Sequence, residues 1–559
     1  MIDIVYVTYN SEKWINKCII SLINSDFELN QINVYFVDND SDDETVNILK
    51  RKKEEIGGLL ARVEIIENKE NMGFGKANNI GAARGNSDII CFFNIDTELF
   101  EDSLSKLMNE VRQSDKQIAL WELRQFPYEH PKIYDPISCE TDWASGAAFA
   151  VSRKVFEHVK GFDEAIFMYA EDVDLSWRIR CAGYKLKYVP QVRIWHYTYE
   201  TVNELKLNQQ VYSVINNLLL RYRYGSLKKI LCGHWIFLKR FLHRERIKGE
   251  RKKLLQEYIK HFAYIPHFFQ KGKYKHNSFI IPFFKGIDYT ENREGAFCRA
   301  DIVNDRPLVS IIVRTCGRPE VLRETLCSIR NQTYENIEIV VVEDGKNLSE
   351  KIIINEFSHD NIVYYATNQK VGRSRAGNLA IERASGKYIN FLDDDDLFFA
   401  DHVETLVCAL QKTEKRVAYA IGLEASVVIE GISPYKYTIK NQRTVHMLPF
   451  DKVALCHHNY LPIQCVMFEK ELYDLYGGLD ETVDALEDWD LWVRYSLHTD
   501  FEYVAKTTSI YKVPYDVKIN EKRQKLLDEA LLVMREKHKT YMASIDVNTL
   551  AELYQNAKC

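Results

Sequence analysis

Cysteine is present without a pattern. Twelve are scattered from Cys18 to Cys559 and no two are spaced CxxC, which argues against a compact zinc module and a thioredoxin-like redox site. Long apolar runs are missing. The nearest, around Ile230–Leu242, is broken by His234, Lys239 and Arg240, short of the about 18 apolar residues a spanning helix needs. The first residues, MIDIVYVTYN, show neither a basic n-region nor a cleavage pattern. No secretory signal is expected, and the chain reads as cytoplasmic with reduced thiols. Net charge is small, −6 over 559 residues, so it points to no nucleic-acid partner. What remains is ordinary soluble protein, 46% hydrophobic and 28% charged, long enough at roughly 100–200 residues per domain for several domains.

The chain does carry a long-period repeat. Ile2–Thr8 (IDIVYVT) and Leu308–Thr315 (LVSIIVRT) are short runs rich in Ile and Val, the pattern of buried parallel strands. Each leads into a helix-like stretch, Glu12–Ile23 and Pro319–Arg330. Second strands follow at Ile32–Val37, ending in Asp38, and at Ile337–Val342, ending in Glu343-Asp344; third strands follow at Val63–Ile66 and Ile362–Tyr365. The Gly/Asn/Arg-rich stretch Asn71–Gly85 matches Asn368–Gly386, and Ile89–Asp96 (IICFFNID) matches Tyr388–Asp396 (YINFLDDDD). Later, GFDE at 161–164 matches GLDE at 478–481, and EDVDL at 171–175 matches EDWDL at 487–491. Strands alternating with helices predict a parallel-sheet α/β domain, built twice.

Ligands of open α/β sheets sit outside the C-terminal ends of the strands. Asp393 to Asp396 put four adjacent carboxylates there, and their repulsion calls for a cation among them or for protonation. Hard oxygen ligands suit Mg²⁺ or Mn²⁺, with a diphosphate supplying the rest; a solvated acidic loop before a helix starting near Asp401 is the alternative. The Gly and Glu spacing of an EF-hand is absent. The acidic pairs Glu171-Asp172 and Glu487-Asp488 each precede a helix-like stretch. There a carboxylate is held by the dipole as a general base, or serves as a first-turn acid. Asp38 and Glu343-Asp344 stand where a base or ribose could be held, or form turns. Lys76, Arg373 and Arg375 could meet phosphates. Gly73-Phe-Gly75 follows the third strand rather than the first, so a Rossmann dehydrogenase is rejected.

With these residues in view, each copy resembles a family-2 glycosyltransferase domain with the GT-A fold. In the first copy the resemblance rests on VTYN, VDNDS, NMGFGKANNIG, FFNID, SGA, GFDE, EDVDL and WH; in the second on VRTCGRPE, VVEDG, NQKVGRSRAGN, FLDDDD, GGLDE and EDWDLWVR. The first is more similar to rhamnosyl- and galactofuranosyltransferase-type members, the second to the general type of capsule and O-antigen assembly. The resemblance implies inverting sugar transfer from UDP-, dTDP- or GDP-sugar donors with Mn²⁺ or Mg²⁺. Metal would fall on Asp393 and Asp395, Asp395 the more direct ligand, and in the first copy on Asp96 with His196. The base would be Asp488 or Glu487, and Asp172 or Glu171. Thr8, Asn10, Asp38, Lys76, Asn94, Thr315, Arg318, Glu343, Asp344, Arg373, Arg375 and Asp394 would hold the nucleotide sugar. The first copy departs from the family pattern with Asn94-Ile-Asp96, and the second has Tyr511 where relatives place a His. Cys456-His457-His458 reads as ordinary loop.

Between the copies, Arg221–Lys275 holds sixteen Lys/Arg against three Glu, with aromatics interleaved. That net +13 leaves −19 for the rest of the chain. The segment is either a solvated helical connector or a contact for an anionic membrane. The expected layout is therefore two α/β, Rossmann-like GT-A domains, 1–220 and 307–518, joined by a basic connector, 221–306, and followed by a helical tail, 519–559. The expected function is a bifunctional enzyme elongating a bacterial surface polysaccharide on a lipid-linked acceptor, cytoplasmic and peripheral to the inner face of the membrane. Its rival has a single active second copy, with the first as an acceptor-binding or scaffold domain.

Overall fold

The structure, a computed structural model, describes residues 1–197, 206–269, 284–303, 305–483 and 485–542. It forms two compact units: residues 1–292 with 296–300, and residues 293–295 with those from 301 onward. Lys271, Lys273 and Lys275 of the basic segment, and the tail beyond residue 542, lie outside the described residues.

In the first unit the chain runs β1 (Ile2–Thr8), α1 (Glu12–Ile23), β2 (Ile32–Asp38), α2 (Thr45–Ile56), β3 (Arg62–Glu67), α3 (Phe74–Ala82), β4 (Ile89–Asn94), β5 (Thr97–Leu99), α4 (Ser103–Gln113), β6 (Ile118–Phe126), β7 (Ala148–Ser152), α5 (Arg153–His158), α6 (Glu171–Cys181), β8 (Lys185–His196), α7 (Leu207–Tyr224), α8 (Leu227–Leu242) and α9 (Glu250–Phe268). The second unit runs β9 (Val309–Thr315), α10 (Pro319–Arg330), β10 (Ile337–Glu343), α11 (Glu350–Glu356), β11 (Ile362–Ala366), α12 (Arg373–Ile381), β12 (Tyr388–Phe391), β13 (Leu397–Phe398), α13 (His402–Gln411), β14 (Val417–Ile432), β15 (Tyr435–Thr444), α14 (Lys452–His457), β16 (Val466–Glu469), α15 (Lys470–Tyr476), α16 (Glu487–Ser496), β17 (Phe501–Pro514) and α17 (Val517–Met542).

The two sheets share one topology, β3-β2-β1-β4-β7-β6-β8-β5 and β11-β10-β9-β12-β16-β14-β17-β13, with β15 added as a hairpin partner of β14. The first four strands of each are parallel; β7 and β16 then enter antiparallel. Both units are thus α/β, as the repeat predicts. The strands are apolar on both faces because helices cover both: β1 is buried almost throughout, with α1 on one side through Ile15, Cys18, Ile19 and Leu22 and α3 on the other through Ala77 and Ala82.

Helices α7 to α9 pack onto the first unit. Leu218, Leu219 and Leu220 of α7 share a core with Trp177 and Val173 of α6. Residue 220, the expected domain boundary, falls inside α7. Cys456 and His457 end helix α14 rather than lying in a loop, because Asp451 caps that helix by accepting the Ala454 amide.

Candidate active sites

In the first unit a cavity of about 640 Å³ opens at the C-terminal end of β4. Asn94, Asp96, Glu171, Asp172 and His196 line it together. Antiparallel pairing of Thr97 with His196 brings the end of β8 beside Asp96. His196 Nε2 stands 3.5 Å from Asp96 Oδ1, and its Nδ1 is 2.7 Å from Gln125 Oε1. The bond from Nδ1 to that amide oxygen orients the ring and turns Nε2 toward Asp96. Burial opposes the Asp96 charge, but His196 and a backbone amide hold its carboxyl below the usual range.

The acidic pair opens α6 behind two non-glycine residues in the left-handed region, Tyr169 (φ 67°) and Ala170 (φ 70°). Such backbone strain concentrates at functional sites. The second unit repeats the device with Leu486, φ 60°, before Glu487. Asp172 accepts the Gly146 amide at 2.7 Å and the Val173 amide at 2.8 Å. A Cβ on Gly146 would stand 3.3 Å from Asp172 Oδ2, so glycine permits this approach. Burial, then the Asp172 charge, pushes Glu171 well above the carboxylate range, and burial raises Asp172. Glu171 Oε2 and Asn94 Oδ1 are buried without a hydrogen-bond partner.

Sequence reasoning missed His130, Trp143 and Ser145 in the lining and the buried pair that holds the last two. Lys132 and Glu122 form a buried ion pair; Lys132 also donates to the Trp143 carbonyl at 2.6 Å, and Glu122 accepts the Ser145 amide at 2.9 Å. His130, edge-on to Trp143 at 4.7 Å between ring centres, is pushed down to about 3 by burial and by Lys132, so it is neutral. His130 Nδ1 and Trp143 Nε1 have no partner. Ile287, Tyr289 and Phe297, from beyond α9, close the cavity.

Thr8, Asn10, Asp38 and Lys76 are not in that wall. Thr8 donates to Asp38 at 2.9 Å across neighbouring strand ends, and Asp38 also accepts the Ser41 amide and hydroxyl at 3.0 and 2.6 Å. Asn10 accepts the Asp42 amide at 2.9 Å. Lys76 is half-buried on α3. The turn chemistry of Asp38 and Asn10 is thus present at the ends of β1 and β2.

In the second unit three of the four carboxylates pair with arginines. Both oxygens of Asp393 accept from Arg314, at 2.7 and 2.8 Å, and Arg314 also donates to Glu487 at 2.9 Å. Asp394 accepts from Thr315 at 2.6 Å and pairs with Arg318, which also reaches Asp395 at 3.2 Å. Burial opposes the Asp393 charge, yet Arg314 holds its carboxyl low. Burial pushes Asp394 up to about 6 and, with the Asp395 charge, drives Asp396 well above its usual range. Asp488 accepts the Trp489 amide at 2.8 Å and the Asn459 side chain at 3.2 Å. Burial, then the Glu487 charge, pushes it up to about 7, a base poised at neutral pH.

Glu343 accepts the Leu348 and Ser349 amides, both at 3.0 Å, and Asp344 accepts those of Val371 and Gly372 at 2.6 and 3.1 Å. Both carboxylates therefore serve loops. Arg373 is 4.0 Å from Glu487, whereas Arg375 pairs with Glu382 and Glu481, both at 3.1 Å.

The remaining repeated motifs form latches. Asn79 exchanges two hydrogen bonds with the Phe162 backbone, both at 2.9 Å, and Asn378 does the same with Leu479 at 2.8 and 2.9 Å. Arg178 holds the Gly161 carbonyl at 2.6 Å, and Arg494 holds that of Gly478.

A divalent cation fits the first site by its donor set. One carboxylate and one imidazole offer two ligands, leaving positions for a diphosphate. Among the described residues no three His, Cys, Asp or Glu side chains gather as a metal cluster. In the second site Asp393 pairs with Arg314, and Asp394 and Asp395 pair with Arg318.

A family model described as glycosyl transferase family 2 matches residues 3–174 and again 310–469, more than half of the chain. A glycosyltransferase of Rickettsia prowazekii (strain Madrid E) is 28% identical over 211 residues, 36% of this chain and 64% of that protein. The GalNAc(5)-diNAcBac-PP-undecaprenol beta-1,3-glucosyltransferase of Campylobacter jejuni is 32% identical over 119 residues, 21% of this chain and 38% of that one. The chain thus spans less than two thirds of the length of both curated relatives. Among solved structures, a Pyrobaculum calidifontis mannosyltransferase in complex with GDP-Man and Mn²⁺ is 17% identical, with a TM-score of 0.36 over 47% of this chain and 75% of that one.

Proposed function

The chain belongs to glycosyl transferase family 2, and on that premise we propose that it carries two inverting transferase sites, one per unit. They extend a bacterial surface polysaccharide of O-antigen, capsule or rhamnan type from nucleotide-sugar donors. The observation that carries the reading is the recurrence of one arrangement. A strand-end acid (Asp96, Asp395) and an acidic pair behind a left-handed residue (Glu171-Asp172, Glu487-Asp488) stand at matching places in both sheets.

In each transfer an acceptor hydroxyl oxygen bonds to the donor's C1 from the face opposite the diphosphate. The C1–O bond breaks, its electron pair leaves with the nucleoside diphosphate, and the hydroxyl proton passes to a carboxylate. In the second unit that carboxylate is Asp488: Glu487 is bound by Arg314, while Asp488 is pushed up to about 7. In the first it is Asp172, oriented by two amides. Asp96 and His196 would hold a divalent cation, Mn²⁺ or Mg²⁺, which when bound neutralises diphosphate charge. In the second unit Arg314 and Arg318 carry positive charge at the same strand end. Glu171 Oε2, Asn94 Oδ1, His130 Nδ1 and Trp143 Nε1 are left to meet sugar hydroxyls.

The Campylobacter relative's name specifies an undecaprenyl-diphosphate acceptor. A lipid-linked glycan acceptor here would keep the protein in the cytoplasm and peripheral to the membrane's inner face. No helix among the described residues is long and apolar enough to cross a membrane. The one-site reading with only the second copy active is weakened by the first unit's lined cavity and oriented base.

The test is Asp172→Asn and Asp488→Asn, separately, with a nucleotide-sugar panel and linkage analysis of the product. Loss of a different linkage from each variant supports two sites. Loss of one linkage from one variant, with no effect of the other, overturns them.

A further inference from the structure

Helix α8 carries two apolar stripes where a surface helix normally carries one. Ile230, Gly233 and Phe237 are buried. Phe237 packs with Val211, Val214, Ile215 and Leu254, and a Cβ on Gly233 would stand 2.7 Å from Arg221 Cδ and 2.8 Å from Leu218 Cδ1. That stripe is the contact with α7. The second stripe is Leu227, Leu231, Trp235, Leu238 and Leu242, one face by its i, i+4, i+8, i+11, i+15 spacing. Trp235 is 64% exposed and Leu227 and Leu242 are each 69% exposed.

Helix α9 repeats the pattern. Leu254 and His261 turn inward, while Leu255, Ile259 and Phe262 are exposed at helical spacing. Single exposed apolar residues are unremarkable, but a continuous exposed patch marks an interaction surface.

The charges beside it are mostly positive. Helix α8 contains no acid, and Lys228 and Lys239 stand exposed next to the stripe; Arg244, Lys248, Arg251 and Lys252 follow, also exposed. Of the two acids between Leu227 and Lys253, Glu250 is held in an ion pair by Arg240, and Glu245 accepts the Arg251 amide at 3.0 Å. The stripe is mostly leucine, which offers nucleic-acid bases no stacking platform. Leucine and tryptophan flanked by lysine and arginine match an interface of acyl chains beneath anionic headgroups.

We propose that the outer face of α8, continued by α9, docks the protein on an anionic lipid surface. The α8 axis lies in the plane of the interface, with Trp235 and the leucines at the acyl boundary and the basic side chains on lipid phosphates. The assignment does not rest on the sugar-transfer reading.

The experiment is co-sedimentation of the full chain with phosphatidylcholine vesicles and with phosphatidylcholine–phosphatidylglycerol vesicles. Binding is expected to the second kind and to weaken with added salt. Leu231→Ser/Trp235→Ser/Leu238→Ser should lower partitioning at least about tenfold, and Lys228→Glu/Lys239→Glu should lower it most at low salt. Nucleotide-sugar hydrolysis without vesicles should be unchanged in both, so failure of docking and failure of the enzymatic reading are separable. Equal binding to the two vesicle types overturns the proposal. So does an apolar variant that binds like the parent, or one that turns a dimer into monomers in light scattering while the parent ignores vesicles. If the triple variant fails to fold, the lysine pair decides.

Discussion

Arg314 Nη1 stands 2.9 Å from Glu487 Oε1 while the other two nitrogens of the same guanidinium hold both oxygens of Asp393. One buried cation therefore joins the ends of β9 and β12 to the start of α16. Arg314→Met should strand two acids without their partner and cost roughly 3–5 kcal/mol in urea unfolding. Adding Glu487→Gln should recover part of that. A loss under about 1 kcal/mol would mean the bridge is not formed in solution.

Asp488 links pH to both stability and rate. Its folded value is raised from 3.8 to about 7, so over that window the native state keeps a proton that the unfolded chain has lost. The stability gained from the protonated form is fully present below 3.8 and is lost as pH rises toward 7. Asp488→Asn should flatten that slope. Second-site turnover should rise through pH 7 in the parent as the base ionises, and be low at every pH in the variant.

Gln125 should tune metal affinity without touching metal. It fixes the His196 ring through Nδ1. Gln125→Leu is expected to weaken Mn²⁺ binding to the full chain by about 10-fold or more in calorimetry, and His196→Ala to weaken it further. Unchanged affinity in both would remove His196 from the site.

The last acid of each EDxD run is a helix anchor. Asp174 accepts from Arg178 at 2.7 Å, from Arg223 at 2.6 Å and from Tyr224 at 2.9 Å, tying α7 to α6. Asp490 pairs with Arg494 at 2.9 Å and with Lys537 at 2.8 Å, tying α17 to α16. Burial opposes the Asp490 charge, but His538, Lys537 and Arg494 hold its carboxyl well below 3.8. Its contribution is thus present above pH 3.8 and lost as the pH falls below it. Asp490→Asn should cost roughly 3 kcal/mol near neutrality and make the acid side of the stability profile shallower.

Much of this was legible in sequence because it is local. Ile/Val runs placed β1, β2, β9 and β10, and the acids at their ends and at the starts of α6 and α16 stand where the repeat put them. What escaped notice is what non-local pairing assembles. Lys132, Glu122 and Trp143 follow no motif; a buried ion pair and the folding of the 128–147 segment bring them together. The acidic run Asp393 to Asp396 is visible in sequence, but the arginines that pair with Asp393, Asp394 and Asp395 are Arg314 and Arg318, more than seventy residues earlier. A visible signal was an arginine at position 314, in a strand rich in Ile and Val, where the first copy has Val7. Asp174 and Asp490 drew no separate reading because, beyond Arg178 and Arg494 on their own helices, their partners lie on other helices.

The residues that close the first cavity come from after α9. Tyr289 and Phe297 are as much its wall as Trp143, and Lys132 bridges to Asn292 by a strand-like contact. A stand-alone first half cut near residue 220, where a repeat boundary invites the scissors, would lose one side of its own cavity. Anyone dividing the two units should therefore leave the first one its chain to about residue 300.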